Sequence, residues 1–142
     1  MKVSRVHTSG PRLEEVVTLD NDASAKIAVG DVDGIITSRA MDQGGYNMVD
    51  VIKAQLKRAA RDSRVKAVLL KVDSPGGGIT PSDEIYNALL GFKASDDGRK
   101  VVVFMRDLAA SGGYYIAMAG DWLVAEPTTV VGSIGVIMQS FN

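Results

Sequence analysis

The feature that most constrains the fold is a continuous apolar segment at 65–72, interrupted only by two lysines. Such a run is typical of an interior strand of a parallel sheet, which is buried on both faces. An alternating segment at 26–36 predicts an earlier strand. Between them, apolar residues recur at helical spacing over 49–60, with Asn47 as N-cap and Asp50 at the capping-box position. A strand, a helix and a second strand in this order predict a right-handed crossover and an α/β fold.

The segment directly after the apolar strand is Asp73-Ser74-Pro75-Gly76-Gly77-Gly78. Three glycines between a strand and a helix expose backbone N–H groups, as do loops that hold phosphates or oxyanions. No Gly-Lys-Ser/Thr follows, which excludes a Walker loop. A flexible turn is the alternative, but the place at a strand's end favours binding of an anion or a backbone. Thr80 is the expected N-cap of the next helix and Pro81 its first residue.

A serine stands at a second junction of the same kind. The apolar run at 101–105 leads into Ala109-Ala110-Ser111-Gly112-Gly113-Tyr114-Tyr115, and a short helical pattern follows. The first N–H groups of that helix and its dipole would favour negative charge developing beside Ser111. Serine is also a good N-cap. The segment alone therefore leaves two interpretations, a helix-capping serine or a reactive hydroxyl.

Four other residues are candidates for chemistry, and each has a simpler interpretation. Ser133 lies between glycines in Gly132-Ser133-Ile134-Gly135, and such glycines indicate that a ligand or another backbone segment comes close. A serine in a turn is the simpler interpretation. Asp31 and Asp33 share one strand face, but no third ligand lies nearby, so a solvated face is favoured over a metal site. His7 lies in a polar segment and is interpreted as a solvated side chain.

Length and composition narrow the class of protein. With 142 residues and 46% hydrophobic content, the chain fits one globular domain at 26–142, preceded by an arm or linker at 1–25. A net charge of -1 offers no basic footprint for nucleic acid, and the absence of cysteine excludes disulfides and thiolate metal sites. No apolar stretch is long enough to span a membrane, so the chain as given is expected to be soluble. We expect neither a metal nor a cofactor.

The three motifs together carry a family resemblance. In their order along residues 26 to 138, the segments at 73–78, 109–115 and 132–136 resemble the signal peptide peptidase A family, serine-lysine peptidases of the ClpP/crotonase-like fold. The resemblance implies repeated ββα units with a mostly parallel sheet flanked by helices. It implies that Ser111 is the nucleophile and that Ser133 supports the general-base lysine. Backbone N–H groups for the oxyanion would come from the loop of Gly76, Gly77 and Gly78, and from Gly112.

The three motifs do not include the general-base lysine. In the short form of the family the lysine lies several tens of residues beyond the serine, past Asn142, and in the long form an N-terminal half supplies it. The domain is therefore expected to be incomplete at its C-terminus, and the chain alone to be inactive or weakly active. Lys71 is the nearest lysine in sequence, but it is interpreted as solvated or paired.

Two functions from different classes remain open. The first is a serine endopeptidase that cleaves hydrophobic peptides such as remnant signal peptides, bound in extended form at the outer face of the cytoplasmic membrane, as the resemblance implies. Membrane association would then come only through parts absent from this chain. The second is a non-catalytic, self-associating scaffold or a peptide- or acyl-binding relative. In both cases we expect a homo-oligomer and no nucleic-acid partner.

Overall fold

Strands and helices alternate along the chain in a computed structural model that describes residues 11, 13–17, 19, 23–40 and 45–137. The elements are β1 (Lys26–Asp33), α1 (Met48–Arg61), β2 (Val65–Ser74), α2 (Ile79–Ala94), β3 (Lys100–Ala110), α3 (Gly112–Ala117), β4 (Trp122–Ala125) and β5 (Val130–Gly132). His7 lies outside the described residues. No helix of the described part is long and apolar enough to cross a membrane.

Every strand pairing in the described part is parallel, as the apolar run at 65–72 predicts. The order is β1-β2-β3-β4, and β5 pairs with β3 off this path. Because β2 occupies the other edge of β3, the two short strands share one edge, with β4 beside 102–105 and β5 beside 108–110. The α/β class and the mostly parallel sheet are confirmed.

Helices α1, α2 and α3 contact one another and one face of the sheet. The core lies between them and includes Ile52, Val72, Leu89, Val103 and Ile116, each at most 2% exposed. The opposite sheet face is more open. Val29 on β1 is 50% exposed and Trp122 on β4 is 57% exposed, so apolar side chains remain uncovered on that side of the described part.

Local sequence sets one helix start as expected and misplaces the other. The Asn47 side chain accepts from the Asp50 N–H, and the Asp50 carboxylate accepts from the Asn47 N–H, which confirms the capping box of α1. The expected cap at Thr80 is wrong, because α2 already begins at Ile79 with Gly78 as N-cap. A buried serine, Ser82, bonds the Gly78 carbonyl through both its N–H and its hydroxyl and so fixes the earlier start.

A bulge in β3 adjusts the strand just before the serine junction. Val72 pairs with Met105 and Ser74 with Ala109, so two steps along β2 correspond to four along β3. The Asp73 carboxylate accepts from the Leu108 N–H at 3.2 Å and holds the extra residues in place. Bulges of this kind redirect the side chains that follow them.

Candidate active site

Ser111 stands at the carboxyl end of β3 in an unusual backbone conformation. Its φ is 50° and its ψ is -120°, a region that non-glycine residues rarely occupy. It holds the N-cap position of α3, but its side chain makes no capping hydrogen bond. Such a conformation costs about 1–3 kcal/mol and persists only when the surroundings impose it. Helix capping therefore does not account for the serine side chain.

Two backbone hydrogen bonds impose this conformation. The Ser111 N–H donates to the Gly132 carbonyl at 2.9 Å, and the Ser111 carbonyl accepts from the Tyr115 N–H at 2.9 Å. The first bond ties the turn to β5, and the second ties it to α3. The Ser111 hydroxyl makes no capping hydrogen bond, and the residue is half-buried.

The glycine loop packs directly against this turn. Gly76 has a φ of +94°, and a Cβ placed on it would lie 2.7 Å from both the Gly112 nitrogen and the Ser111 Cβ. A Cβ on Gly77 would overlap the Ile36 backbone. Contacts this short exclude any side chain at either position. The glycines are therefore required by close approach, and the loop is not simply a flexible turn.

Most N–H groups of the loop are already engaged. The Gly76 N–H donates to the Ser74 hydroxyl at 3.1 Å, and the Gly78 N–H donates to the Ile36 carbonyl at 2.9 Å. Gly77 is exposed, and among the described residues its N–H has no hydrogen-bond acceptor. The N–H of Gly112, at the start of α3, likewise has none in that part of the chain. Of the three loop glycines, Gly77 thus keeps its donor available.

These two free donors lie close together. A Cβ built on Gly112 would stand 3.4 Å from the Gly77 nitrogen, although the residues are far apart in sequence. Ser74 holds the loop in this position, because its buried hydroxyl donates to the Gly34 carbonyl at 2.6 Å while accepting from Gly76. Two N–H donors beside one serine are the arrangement that stabilises a tetrahedral oxyanion.

Ser133 is brought next to Ser111 by strand register. In the parallel pair of β3 and β5, Ala110 lies opposite Gly132, so the two serines follow their strands at the same level. Neighbouring strands are about 4.8 Å apart. Ser133 also has a positive φ, 51°, and its side chain is exposed. The structure thus places three separate motifs at one edge of the sheet.

Sequence reasoning missed several residues that shape this edge. Gly34 and Ile36 follow β1 and bond the Asp73-Ser74 segment and the glycine loop, yet neither belongs to a motif. Ser82 was not singled out either, although a Cβ on Gly112 would overlap its hydroxyl. Gly34 has a φ of +80°, a conformation that favours glycine, so a glycine at the end of the β1 segment is the one signal that sequence offers for this group.

Five of the seven lysines in the described part form ion pairs, and Lys57 is exposed on α1. Lys71 pairs with Asp31 at 2.8 Å, as the paired interpretation predicts, and Lys93 pairs with Asp121 at 3.1 Å. Lys100 begins β3, so it lies about 30 Å along the strand from Ser111. Further ion pairs hold three others: Lys26 with Glu15 and Asp62, Lys53 with Glu84, and Lys66 with Asp96. Within the described ranges, no cluster of histidine or carboxylate side chains could hold a metal.

A tyrosine and a carboxylate meet beside the turn. The Tyr115 hydroxyl donates to the Asp83 carboxylate at 2.7 Å, and this hydrogen bond raises the pKa of the Tyr115 phenol above its ordinary value of 10.0. The Tyr115 ring also lies 4.9 Å from the Tyr86 ring, centroid to centroid. These contacts join α3 to α2 on the solvent side of the site.

Known proteins resemble this chain over the segments that build the site. Residues 93–142 match the model of peptidase family S49. Protease 4 of Salmonella typhi is 38% identical over 115 residues, which are 81% of this chain and 18% of that protein. A protein of Enterococcus faecium assigned as signal peptide peptidase SppA is 39% identical over 130 residues, 88% of this chain and 37% of that protein.

The chain belongs to the signal peptide peptidase A family. Its segment of that family is short, because the chain spans 12 to 37% of the length of these curated relatives. A Na(+)/H(+) antiporter NhaA of Brucella melitensis is 45% identical over 87 residues, 61% of this chain but 12% of that protein. The name of that protein describes it as a whole, and the matched part is too small a share of it to assign ion transport to this chain.

A solved structure supports the fold of this signal peptide peptidase A segment. A serine-to-alanine mutant of the 1510-N membrane-bound stomatin-specific protease superposes with a TM-score of 0.58 at 21% identity, over 84% of this chain and 54% of that chain. At this identity the likeness establishes the ClpP-like arrangement of sheet and helices. The expected fold is confirmed, whereas the roles of Ser111, Ser133, Gly112 and the glycine loop stay predictions.

Proposed function

We propose that this chain carries the nucleophile and the oxyanion-binding groups of a serine endopeptidase of Ser-Lys type. The observation that carries the proposal is Ser111 itself. Its backbone is strained, its hydroxyl does not cap the helix that follows, and two unpartnered N–H groups lie beside it. Strained serines at a strand-to-helix turn are a recurring way to expose a nucleophile. Membership in a peptidase family supports the same assignment.

In the proposed reaction the Ser111 oxygen attacks the carbonyl carbon of a peptide bond and gives its proton to a base. The carbonyl oxygen becomes an oxyanion, which the N–H groups of Gly112 and Gly77 stabilise. Collapse breaks the C–N bond, and the leaving amine takes the proton from the base. Water then hydrolyses the acyl-serine by the same steps. Loss of one oxyanion donor typically lowers turnover by ~10²–10³.

We propose that the base is a lysine outside the described residues, held by the hydroxyl of Ser133. The described lysines are unsuited, since five are ion-paired, Lys57 is exposed on α1 and Lys100 begins the opposite end of β3. A base lysine must be neutral near neutral pH, which requires burial away from carboxylates. Ser133 is suitably placed because register sets it beside Ser111.

The substrate class we propose is an extended hydrophobic peptide, such as a remnant signal peptide. After Ser133 the chain continues with Ile134, Val136 and Ile137, which are 83%, 70% and 88% exposed. These exposed apolar side chains can pack against those of a hydrophobic peptide. The name of the Enterococcus faecium relative supports signal peptides as substrates, and a location at the membrane is part of the same proposal. We also propose self-association, which the open apolar sheet face supports.

Covalent labelling tests the nucleophile directly. A fluorophosphonate probe and a hydrophobic reporter peptide would be used on the protein expressed from its complete reading frame and on residues 1–142. We expect intact mass and peptide mapping to place one adduct on Ser111, and Ser111→Ala to abolish labelling and cleavage. Ser24→Ala, which changes an exposed serine near the start of β1, should match wild type.

The outcomes separate the two functions left open by the sequence. A complete protein that neither labels nor cleaves would refute the peptidase proposal and favour a scaffold or binding role. An adduct on another serine would refute the assignment of Ser111. Loss of cleavage in Ser133→Ala is expected, with folding retained by circular dichroism.

A further inference from the structure

The turn at Ser111 depends on a helix that is too short to be stable by itself. Helix α3 has six residues, Gly112–Ala117, with no side-chain cap and no acidic residue in its first turn. Isolated helices of that length are unstable in water, so tertiary contacts must fix it. Its position matters to the site, since the Tyr115 N–H at its second turn bonds the Ser111 carbonyl. Whatever anchors Tyr115 therefore also anchors the strained turn.

Helix α2 supplies that anchor. The Asp83 carboxylate accepts the Tyr115 hydroxyl at 2.7 Å through one oxygen and the Asn87 side-chain amide at 2.9 Å through the other. Asn87 lies one turn along the same helix, so its hydrogen bond orients the Asp83 carboxylate toward Tyr115. The ring of Tyr86 packs against Tyr115 at 4.9 Å. The bond is charge-assisted but solvent-exposed, so it is weaker than a buried one of the same kind.

The same turn of α2 also touches both oxyanion-binding segments. Ser82, next to Asp83, donates its hydroxyl to the Gly78 carbonyl at 2.7 Å. That hydroxyl fills the space where a side chain on Gly112 would be. One turn of helix thus contacts the glycine loop through Ser82 and the serine turn through Asp83 and Tyr115.

We propose that the hydrogen bond between Tyr115 and Asp83 is a positioning contact that keeps Ser111 and Gly112 aligned with the glycine loop. Neither side chain is proposed to touch the substrate. This inference rests on the proposed peptidase function for its kinetic consequence. A misaligned donor pair weakens binding of the transition state more than binding of the peptide, so kcat falls while KM is preserved.

Kinetics of the protein expressed from its complete reading frame test the contact. We expect Tyr115→Phe to lower kcat about three- to tenfold, as loss of one solvent-exposed charge-assisted hydrogen bond implies, with KM changed less than about twofold. Asp83→Ala should give the same loss, and the double variant should be no slower than either single one. Asp83→Asn, which retains an acceptor oxygen, should recover most of kcat.

Tyr86→Phe is the matched control, because it removes a hydroxyl from the neighbouring ring and leaves the stacking in place. It should match wild type. A kcat for Tyr115→Phe within twofold of wild type would overturn the inference, as would losses that multiply in the double variant. Either result, together with wild-type cleavage that Ser111→Ala abolishes, leaves the peptidase proposal standing.

Amide hydrogen exchange decides the inference even if the wild-type protein does not cleave peptides. The Tyr115 amide should exchange faster in Tyr115→Phe and Asp83→Ala than in wild type or Tyr86→Phe, since its bond to the Ser111 carbonyl opens more often. Equal exchange in all four proteins would overturn the positioning role.

Discussion

The close approach of Gly112 to Ser82 predicts a pair of substitutions that compensate each other. Gly112 is buried, and a Cβ on it would overlap the Ser82 hydroxyl oxygen and stand 3.3 Å from the Ser82 Cβ. Gly112→Ala must therefore displace either the serine turn or the Ser82 side chain. Overpacking of this kind costs about 1–3 kcal/mol. Rotating the hydroxyl away instead gives up its bond to the Gly78 carbonyl, worth about 1 kcal/mol.

Removing the hydroxyl should relieve most of the conflict. Ser82→Ala alone loses the bond to Gly78, but that carbonyl keeps the Ser82 N–H as a donor at 3.2 Å, so we expect a loss of only about 1 kcal/mol. The remaining 3.3 Å contact with the Ser82 Cβ is tight and asks only for a small shift. The double variant should thus be more stable than the sum of the single losses by about 1 kcal/mol or more.

Urea unfolding of the four proteins measures this coupling, provided that the transitions share one slope. Labelling of Ser111 by a fluorophosphonate probe gives a second readout, because displacement of the turn also displaces the Gly112 N–H. We expect labelling to slow in Gly112→Ala and to recover in part in the double variant. Additive stabilities, or a Gly112→Ala protein as stable as wild type, would refute the packing argument.

Two further predictions use backbone strain and charge. Ser111→Gly should unfold with a free energy about 1 kcal/mol higher than Ser111→Ala in urea, since glycine accepts a φ of 50° and alanine does not; equal stability would contradict the strain. The pKa of Asp62 is lowered from 3.8 to about 2, first by the Arg64 backbone N–H and then by Lys26. A lowered folded-state pKa stabilises the protein above the ordinary pKa, and that contribution is lost as pH falls through about 2. When the urea midpoint of unfolding is measured against pH, Asp62→Asn should therefore lose less stability at acidic pH than wild type. An equal loss in both proteins would show that Asp62 does not contribute.

The elements and the motif positions follow from local sequence. The capping box of Asn47 and Asp50 starts α1 because both partners lie within one turn, and the structure has the same bonds. Where two local arrangements compete for the start of a helix, the pattern does not decide between them. Thr80 would cap α2 well by itself, but Ser82 bonds Gly78 and starts the helix earlier.

The interpretation of Ser111 shows the limit most directly. By sequence it was equally a helix cap or a reactive hydroxyl, because both need a serine before a helix. Its strained φ comes from bonds to Gly132 and Tyr115, one of them on a strand twenty residues away along the chain. Only the register of parallel strands sets Ser133 beside it.

The sequence by itself therefore determined the fold class, the glycine loop and the serine junction, since apolar periodicity and glycine runs act over a few residues. The tertiary structure decided which N–H groups are free and which segments meet. The N–H groups of Gly76 and Gly78 are bonded to Ser74 and Ile36, whereas the Gly77 N–H has no acceptor in the described part. Gly77 faces Gly112 because β2 and β3 end side by side. Hydrogen-bond partners and strand register join distant parts of the chain, and no local pattern encodes them.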